Sequence, residues 1–427
     1  NPGTRSTKYN RMTESLSDRL KSLGVQLGAQ NLKPRPEQTR FPIEDVVEGV
    51  EIDTPLGAVY QITQDFDIHY QHGLVHFDSP LNLETLREWG KTPSEKSGSV
   101  DQLVFLDTET TGLAGGAGSF AFLVGLGIWN AQGFRLVQLF MRHPAEEPAM
   151  LAVLARIVNS YQTVVTFNGK SFDIPLLNSR HLINSMPTPF SDMAHLDLLP
   201  LARKLWRNRL PSRALGDLER DILGVSRSGE EIPGWMVPQM YVEYLQTGDA
   251  RPMKGVLYHN AMDILSLAAL LHYDAHLLDN PQELQPDQGL DLVAVARIYE
   301  EMGEIQKAVN LYEAGLDAGL PRPIFVQTLH RYAAIYRKQG KWPEAVALWE
   351  RAAQFQDLHA AVELAKYHEH RNASPRTALT WTELAIGWLP LLPLRPSERR
   401  YWKEELVHRQ NRLRKKTQVE EAGDVSE

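Results

Sequence analysis

An uninterrupted apolar run that leads directly into two acidic residues constrains this chain more than any other feature. Residues 103–106 (LVFL) are apolar at four consecutive positions, which is typical of a strand buried on both faces. Asp107, Thr108 and Glu109 follow at once. Because side chains alternate along a strand, the carboxylates of Asp107 and Glu109 converge on one face. Two such charges repel unless a cation lies between them, so the pattern predicts a metal site with oxygen ligands at a strand end.

The surrounding pattern indicates an α/β domain over residues 99–280. Residues 120–129 and 134–141 predict two further strands that form a meander with the first. Apolar residues at helical spacing predict a helix over 147–161, and residues 163–167 predict a short buried strand that returns parallel to the first. We therefore expect a mixed sheet flanked by helices.

Two segments precede this domain. Residues 1–40 are polar and end in a proline-containing basic stretch, which favours a disordered arm. Residues 41–98 contain β-branched and aromatic residues between turn signals, which predicts a β-rich N-terminal appendage.

An internal repeat follows residue 288. Four residues recur at one offset of 37 with matching type: Tyr299 and Tyr336, Gly303 and Gly340, Ala308 and Ala345, Tyr312 and Trp349. The pattern resembles the tetratricopeptide repeat, a helix pair of about 34 residues. We expect an all-α tetratricopeptide-like helical-repeat domain over residues 288–394; the alternative is an irregular helical bundle.

The last segment, residues 395–427, is predicted to be a basic helix with an acidic tail. Nine basic residues stand against three acidic ones between Arg395 and Lys416. Such a stretch is a candidate to contact a nucleic-acid backbone, and the alternative is a salt-bridged helix that closes the repeats.

Composition limits the class of protein. The 45 Lys and Arg and 53 Asp and Glu give a net charge of −8, so any nucleic-acid contact must be local rather than spread over the whole surface. The absence of cysteine excludes disulfides and thiolate zinc sites and favours a reducing, cytoplasmic setting. The most apolar late stretch, residues 384–394, contains two prolines and is too short to span a membrane, so no membrane partner is expected.

Three acidic motifs together resemble those of the DEDD exonucleases, metal-dependent nucleases of the ribonuclease H-like fold. Residues 106–113 (LDTETTGL) match the first motif, residues 167–173 (FNGKSFD) the second and residues 258–263 (YHNAMD) the third. An Asp-x-Glu pair alone is a weak signal because it can also be solvated, whereas four acids in the family's order are specific. The resemblance implies a ribonuclease H-like domain and four catalytic metal ligands, each at its own motif: Asp107, Glu109, Asp173 and Asp263.

A narrower resemblance covers most of the chain. The glycine-rich loop at residues 112–118, the second motif and the C-terminal repeats are similar to those of the bacterial YprB-like proteins. Those proteins pair a ribonuclease H-like nuclease domain with tetratricopeptide-like helices.

The resemblance also implies a reaction. Two Mg²⁺ or Mn²⁺ ions about 4 Å apart can stabilise the attacking and leaving oxygens of a phosphodiester at once, and such ions prefer carboxylates. The expected partner is DNA or RNA, and the expected activity is hydrolysis from the 3′ end. Two other functions stay open: a catalytically silent scaffold that binds a protein partner through its repeats, and an endonuclease or resolvase on the same fold.

The general base is where this chain departs from the family pattern. DEDD exonucleases usually place a histidine five residues, or a tyrosine four residues, before the last aspartate. Here Tyr258 and His259 have exchanged these positions. On a helix, position 259 lies about 40° around the axis from Asp263 and position 258 about 140°, so we expect His259 to face the metals. Its unperturbed pKa near 6.5 suits proton abstraction from the attacking water, although it could instead cap or pack the helix.

The remaining site candidates concern the substrate. Thr110, Asn168, Lys170 and Tyr258 are expected to line the cleft. Lys170 could contact the scissile phosphate or form a surface ion pair. Asn168 could orient the substrate or close the turn after its strand. Tyr258 could position water or belong to the core.

Overall fold

The computed structural model describes residues 41–92, 99–112, 118–227, 232–284 and 288–424. The predicted N-terminal arm, most of the glycine-rich loop and the last three residues of the acidic tail lie outside these ranges. Within them, none of the helices combines the length and the apolar character needed to cross a membrane.

Nine strands are present in the described residues: β1 (Val50–Thr54), β2 (Gly57–Asp67), β3 (Gln71–His72), β4 (Val75–His76), β5 (Leu103–Thr110), β6 (Ala121–Asn130), β7 (Gly133–Phe140), β8 (Thr163–Thr166) and β9 (Ala194–Asp197). Seven of them form one mixed sheet in the order β1-β2-β7-β6-β5-β8-β9, and β3 pairs with β4 separately. Strand β5 is antiparallel to β6 and parallel to β8, and β8 is parallel to β9. The predicted meander and return strand are therefore confirmed.

Fourteen α-helices are described: α1 (Glu84–Gly90), α2 (Glu147–Val158), α3 (Asp173–Ile183), α4 (Leu199–Trp206), α5 (Leu215–Leu218), α6 (Val237–Thr247), α7 (Met253–Asp279), α8 (Gly289–Met302), α9 (Ile305–Asp317), α10 (Arg322–Lys338), α11 (Trp342–Ala353), α12 (Leu358–His370), α13 (Pro375–Trp388) and α14 (Pro396–Asp424). Helices up to α7 flank the sheet, and those from α8 onward form an all-helical region. The predicted fold class, a mixed sheet flanked by helices and followed by an all-α region, is confirmed.

The central strand β5 separates two apolar cores. Leu103 and Phe105 belong to the core that contains α4 and α7, whereas Val104 and Leu106 belong to the core that contains α2, α3 and α6. This alternation continues past the apolar run, so Asp107 and Glu109 face α7 and Thr108 faces the opposite side.

Helix α7 lies directly against strand β6 because two glycines leave room for it. A Cβ on Gly125 would lie 2.3 Å from Oδ1 of Asn260, and a Cβ on Gly127 would lie 2.7 Å from the Cγ2 of Ile264. Asn260 and Ile264 are one helical turn apart, and Gly125 and Gly127 share one face of the strand. The two glycines therefore set the depth at which α7 crosses the sheet, and with it the position of Asp263.

The segment expected as a β-rich appendage is built into the seven-stranded sheet. Strand β2 pairs with β7 over eight residues, from Tyr60 opposite Phe140 to Asp67 opposite Gly133, and β1 adds a further edge strand. His72 also lies 2.8 Å from the hydroxyl of Ser266 on α7, measured from its Nε2. Residues 41–92 thus extend the sheet and cover one end of α7.

The 37-residue offset corresponds to a structural equivalence in the helical region. Gly303 directly follows α8 and Gly340 lies two residues after α10, both with positive φ, 87° and 76°, which favours glycine. Ala308 and Ala345 are both fully buried where α9 and α11 pack against the preceding helices. Tyr312 and Trp349 are buried one turn further along. The offset therefore relates the helix pair α8 and α9 to the pair α10 and α11.

Helix α14 is tied to the helical region by ion pairs. Arg412 and Lys416 both contact the buried carboxylate of Glu369, at 2.7 and 2.8 Å, and Arg414 contacts Glu383 at 2.9 Å. Burial opposes ionisation of Glu369, yet the hydrogen bonds from Arg412 and Lys416 lower its pKa to about 2. The ion pairs of these three cations thus support the alternative interpretation, a salt-bridged helix that closes the helical region.

Candidate active site

Three carboxylates meet at the carboxyl end of β5. Asp107 and Glu109 extend from the strand toward α7. Thr108, on the other face, donates a hydrogen bond of 2.5 Å from Oγ1 to Oδ1 of Asp173, the first residue of α3. The second acidic motif is thereby attached to the first through the side chain between the two strand acids.

Asn260 determines where Asp107 lies. Its Nδ2 donates to Oδ2 of Asp107 at 2.9 Å, and its own Oδ1 accepts from Nε2 of Gln138 at 2.9 Å. Gln138 also donates to the carbonyl of Leu257 at 2.8 Å. Asp107, Gly125 and Gln138 are neighbours across β5, β6 and β7, so Asn260 sits over the glycine between its two partners.

Replacing Gly125 by alanine should therefore disturb the site and the fold together. The new Cβ would collide with the Asn260 amide, which is held on two sides, and overpacking of this kind costs about 1–3 kcal/mol. We expect the midpoint of denaturant unfolding to fall and Asp107 to lose its amide donor. The matched control is Gly216→Ala, because a Cβ there has open space around it. Equal stability of the two variants would contradict the role given to Gly125.

Helix α7 supplies the third motif. It begins at Met253, so residues 258–263 are helical and the angles expected between Tyr258, His259 and Asp263 around the helix axis apply. Nε2 of His259 lies 4.0 Å from Oε1 of Glu109 and 3.6 Å from Oδ2 of Asp263. Tyr258 lies near Tyr70 instead: burial raises the pKa of Tyr70, and the neighbouring Tyr258 raises it further. The structure thus places His259 beside Glu109 and Asp263.

Arg227 is a further member of the site that sequence reasoning missed. Its Nε donates to Oε2 of Glu219 at 2.6 Å, and its Nη2 donates to Oδ1 of Asp263. Its Nη1 lies 3.1 Å from Nδ1 of His259. Since a guanidinium only donates, Nδ1 accepts this bond and the neutral ring carries its hydrogen on Nε2. No motif marks Arg227 in the sequence; the only signal is that a buried acidic cluster requires a cation.

The electrostatics of the cluster favour a bound cation. Burial raises the pKa of Asp107 well above its ordinary value, and the charges of Asp263, Asp173 and Glu109 raise it further. Burial, Asp263 and Asp173 raise the pKa of Glu109 in the same way, against the effect of Arg227. Burial also raises the pKa of Asp173 to about 6, although the Thr108 hydrogen bond lowers it. Without a cation these groups resist losing their protons.

The donor set fits a hard divalent metal. One oxygen each of Glu109 and Asp263 and one ring nitrogen of His259 lie within 4.8 Å of one another. Buried carboxylates that repel one another are the ligands that Mg²⁺ and Mn²⁺ prefer.

The residues of the second motif loop have mixed surroundings. Asn168 adopts a φ of 69°, and its backbone N–H donates to Oδ1 of the buried Asp197 at 2.7 Å. The N–H of Lys170 donates to Oδ2 of Asp197 at 3.1 Å, while the Lys170 side chain is exposed. Asp197 therefore shapes the turn at Asn168. Thr110 donates from Oγ1 to the carbonyl of Gly112 at 3.0 Å, at the start of the glycine-rich loop.

This chain is similar to known proteins. A family model described as the RNase_H superfamily matches residues 104–273, which include all four carboxylates. A Bacillus subtilis (strain 168) relative, the uncharacterized protein YprB, is 31% identical over 334 residues, covering 76% of this chain and 79% of the relative. The chain belongs to the YprB family. The ribonuclease H-like fold expected for a YprB-family chain is thus confirmed.

A solved structure is also similar to this YprB-family chain. It is the family B DNA polymerase from the hyperthermophilic archaeon Pyrobaculum calidifontis, with 14% identity and a TM-score of 0.30. The match covers 56% of this chain and 29% of the polymerase. The chain thus spans less than a third of that protein.

Proposed function

We propose that this protein is a divalent-metal-dependent nuclease that hydrolyses phosphodiester bonds of nucleic acid from the 3′ end. The supporting observation is the convergence of Asp107, Glu109, Asp173, Asp263 and His259 at the carboxyl end of β5. Members of the ribonuclease H superfamily are generally nucleases that use divalent metals. Because Asp107 interacts electrostatically with the other three carboxylates, one compact site accommodates all four.

Each side chain has a role in this proposal. The four carboxylates would hold Mg²⁺ or Mn²⁺, which supplies positive charge to the attacking and leaving oxygens. Asn260 orients Asp107, and Thr108 orients Asp173. His259 would take the proton of the attacking water at Nε2. Since Arg227 donates to Nδ1, this transfer requires the Arg227–His259 hydrogen bond to open so that Nδ1 can carry the ring hydrogen.

The substrate contacts are proposed on the same basis. Burial and then the positive charge of Lys170 lower the pKa of His195 to about 4. The exposed ammonium of Lys170 therefore lies near His195, beside the second motif. We propose that Lys170 contacts a phosphate of the substrate from this position. Thr110 and Asn168 would contribute to the loops that border the cleft, and Tyr258 would line the cleft as well.

The helical region is proposed to consist of tetratricopeptide-like repeats. The equivalent glycines and buried alanines of the two helix pairs support this assignment. A protein partner on these helices stays a prediction.

A nuclease assay tests the main proposal directly. Labelled single- and double-stranded DNA and RNA should be incubated with Mg²⁺, with Mn²⁺ and with a chelator. We expect cleavage with either metal and none with the chelator. A substrate with a blocked 3′ end should resist hydrolysis; its cleavage would instead favour the endonuclease alternative.

The raised pKa of Asp173 predicts how stability depends on pH. The folded state keeps a proton on Asp173 up to about pH 6, whereas the unfolded chain loses it near 3.8, so the metal-free fold loses stability as pH rises between these values. Asp173→Asn removes this loss, which is about 3 kcal/mol. We expect the variant to exceed the wild type in melting temperature at about pH 7.5 and to match it near pH 4. A difference independent of pH would contradict this assignment.

A further inference from the structure

A strongly basic cavity lies between the sheet domain and the helical region, apart from the carboxylate site. Its volume is about 560 Å³. Six cations line it, from α4 and the segment after it, from α8 and from α10: Arg203, Lys204, Arg207, Arg213, Arg297 and Arg331. Glu301 is the acidic residue among the described residues that line it.

Acidic neighbours neutralise only part of this charge. Glu301 pairs with Lys204, and Glu300 pairs with Arg331 at 2.7 Å. Arg203, Arg207 and Arg297 form no ion pair with an acid in the described part of the chain. Three guanidinium groups therefore line one concave surface without an ion-pair partner among the described residues.

Two of the arginines also have buried donors that lack partners. The Nε atoms of Arg213 and Arg297 are buried and make no hydrogen bond to any described residue. Leaving a buried donor unpaired costs about 1–3 kcal/mol, so such atoms call for an explanation. Burial and then repulsion from Arg331 lower the pKa of Arg297, Tyr312 and Glu300 act in the opposite direction, and Arg207 lowers it further. A bound anion would offset the repulsion among these guanidinium groups.

We propose that this basic cavity binds backbone phosphates of the nucleic-acid strand whose end enters the carboxylate site. The inference rests on the proposed nuclease function and deepens it by assigning a substrate-anchoring site. With Lys204 and Arg331 paired to acids, four of the six cations remain, which matches several backbone phosphates of one negative charge each. On α14, by contrast, Arg412, Arg414 and Lys416 are not free to bind phosphates. Their side chains form ion pairs with Glu369 and Glu383.

The test uses full-length Asp107→Asn protein, so that binding is measured without hydrolysis. A second change, Arg203→Ser with Arg207→Ser, removes two exposed cations from the cavity. The matched control is Arg400→Ser with Lys403→Ser, which removes two exposed cations from α14. Affinity for a fluorescent single-stranded oligonucleotide is measured by anisotropy between about 50 and about 200 mM salt.

We expect the cavity variant to reduce the slope of log affinity against log salt by about 1.4, or roughly 0.7 for each lost phosphate contact, and the control to retain the parental slope. An unchanged slope in the cavity variant, or an equal reduction in the control, would overturn the proposal. A third outcome would also overturn the proposal. In that outcome, tripolyphosphate stabilises the parent but not the cavity variant, while both bind the oligonucleotide equally well. The occupant of the cavity would then be a small anion. The anisotropy assay measures binding without turnover. A failure of the nuclease proposal, which is an absence of cleavage by the wild type, can therefore be distinguished from a failure of the cavity proposal.

Discussion

Replacement of Asp107 or Asp173 by asparagine should abolish hydrolysis and leave the fold intact. Each change removes one negative charge from the cluster at almost constant side-chain volume. An asparagine in place of Asp173 can still accept the Thr108 hydrogen bond at Oδ1, and residue 107 keeps its place beside Asn260. With the cation-binding charge lost, we expect turnover to fall by at least about 10³-fold, which corresponds to roughly 4 kcal/mol in the barrier.

The measurement is release of labelled nucleotides in Mg²⁺ and in Mn²⁺, with circular dichroism recorded on the same preparations. Asp101→Asn is the matched control, because Asp101 is exposed and lies just before β5. Near-wild-type turnover in either Asp107→Asn or Asp173→Asn, with an unchanged dichroism spectrum, would remove the carboxylate cluster from the reaction.

The second large effect is expected at His259. Its imidazole lies 4.0 Å from Glu109 and 3.6 Å from Asp263, so its removal should lower the rate by about 10²-fold or more, the usual contribution of a positioned proton acceptor. Tyr258→Phe removes only a hydroxyl near Tyr70 and should change the rate much less. The rates of both variants should also be measured across a range of pH values. If His259 is the proton acceptor, the rise in rate that reports its deprotonation should be absent from the pH profile of His259→Ala.

The opposite order of effects would transfer the role to Tyr258. A rate loss in His259→Ala with an unaltered pH profile would instead mean that the imidazole only positions its neighbours. The two variants thus separate a proton acceptor from a packing residue at adjacent positions of one helix.

Several parts of this structure could be predicted because their signals are local. The apolar run at residues 103–106 marks a strand buried on both faces, and period-two alternation alone indicates which acids share a side. The helical angle between His259 and Asp263 likewise depends only on their spacing. The repeat offset required no knowledge of contacts, since equivalent glycines follow equivalent helices.

Other parts could not be predicted because they depend on contacts between distant segments. The pairing of β2 with β7 joins segments far apart in the sequence, such as those that carry Asp65 and Arg135. Asn260 is visible in the third motif, but its function follows from Gly125 and Gln138 on two other elements. Arg227 carries no motif at all, and its role emerges only when Glu219, His259 and Asp263 surround it. A network of side chains from separate elements leaves no periodic trace in a sequence.

The path of α7 has a consequence for how the chain can be divided. Its first half carries Asn260, His259 and Asp263, and its second half buries Leu270, Leu271 and Leu278 in a core that continues into α8 and the helices beyond. Tyr299 of α8 also donates to the carbonyl of Leu278 at 2.6 Å. A fragment that ended after α7 would expose this apolar side to water at about 25 cal/mol for each Å². The half of the chain that carries the four carboxylates is therefore not autonomous, because the helices after residue 288 form part of the core that supports α7.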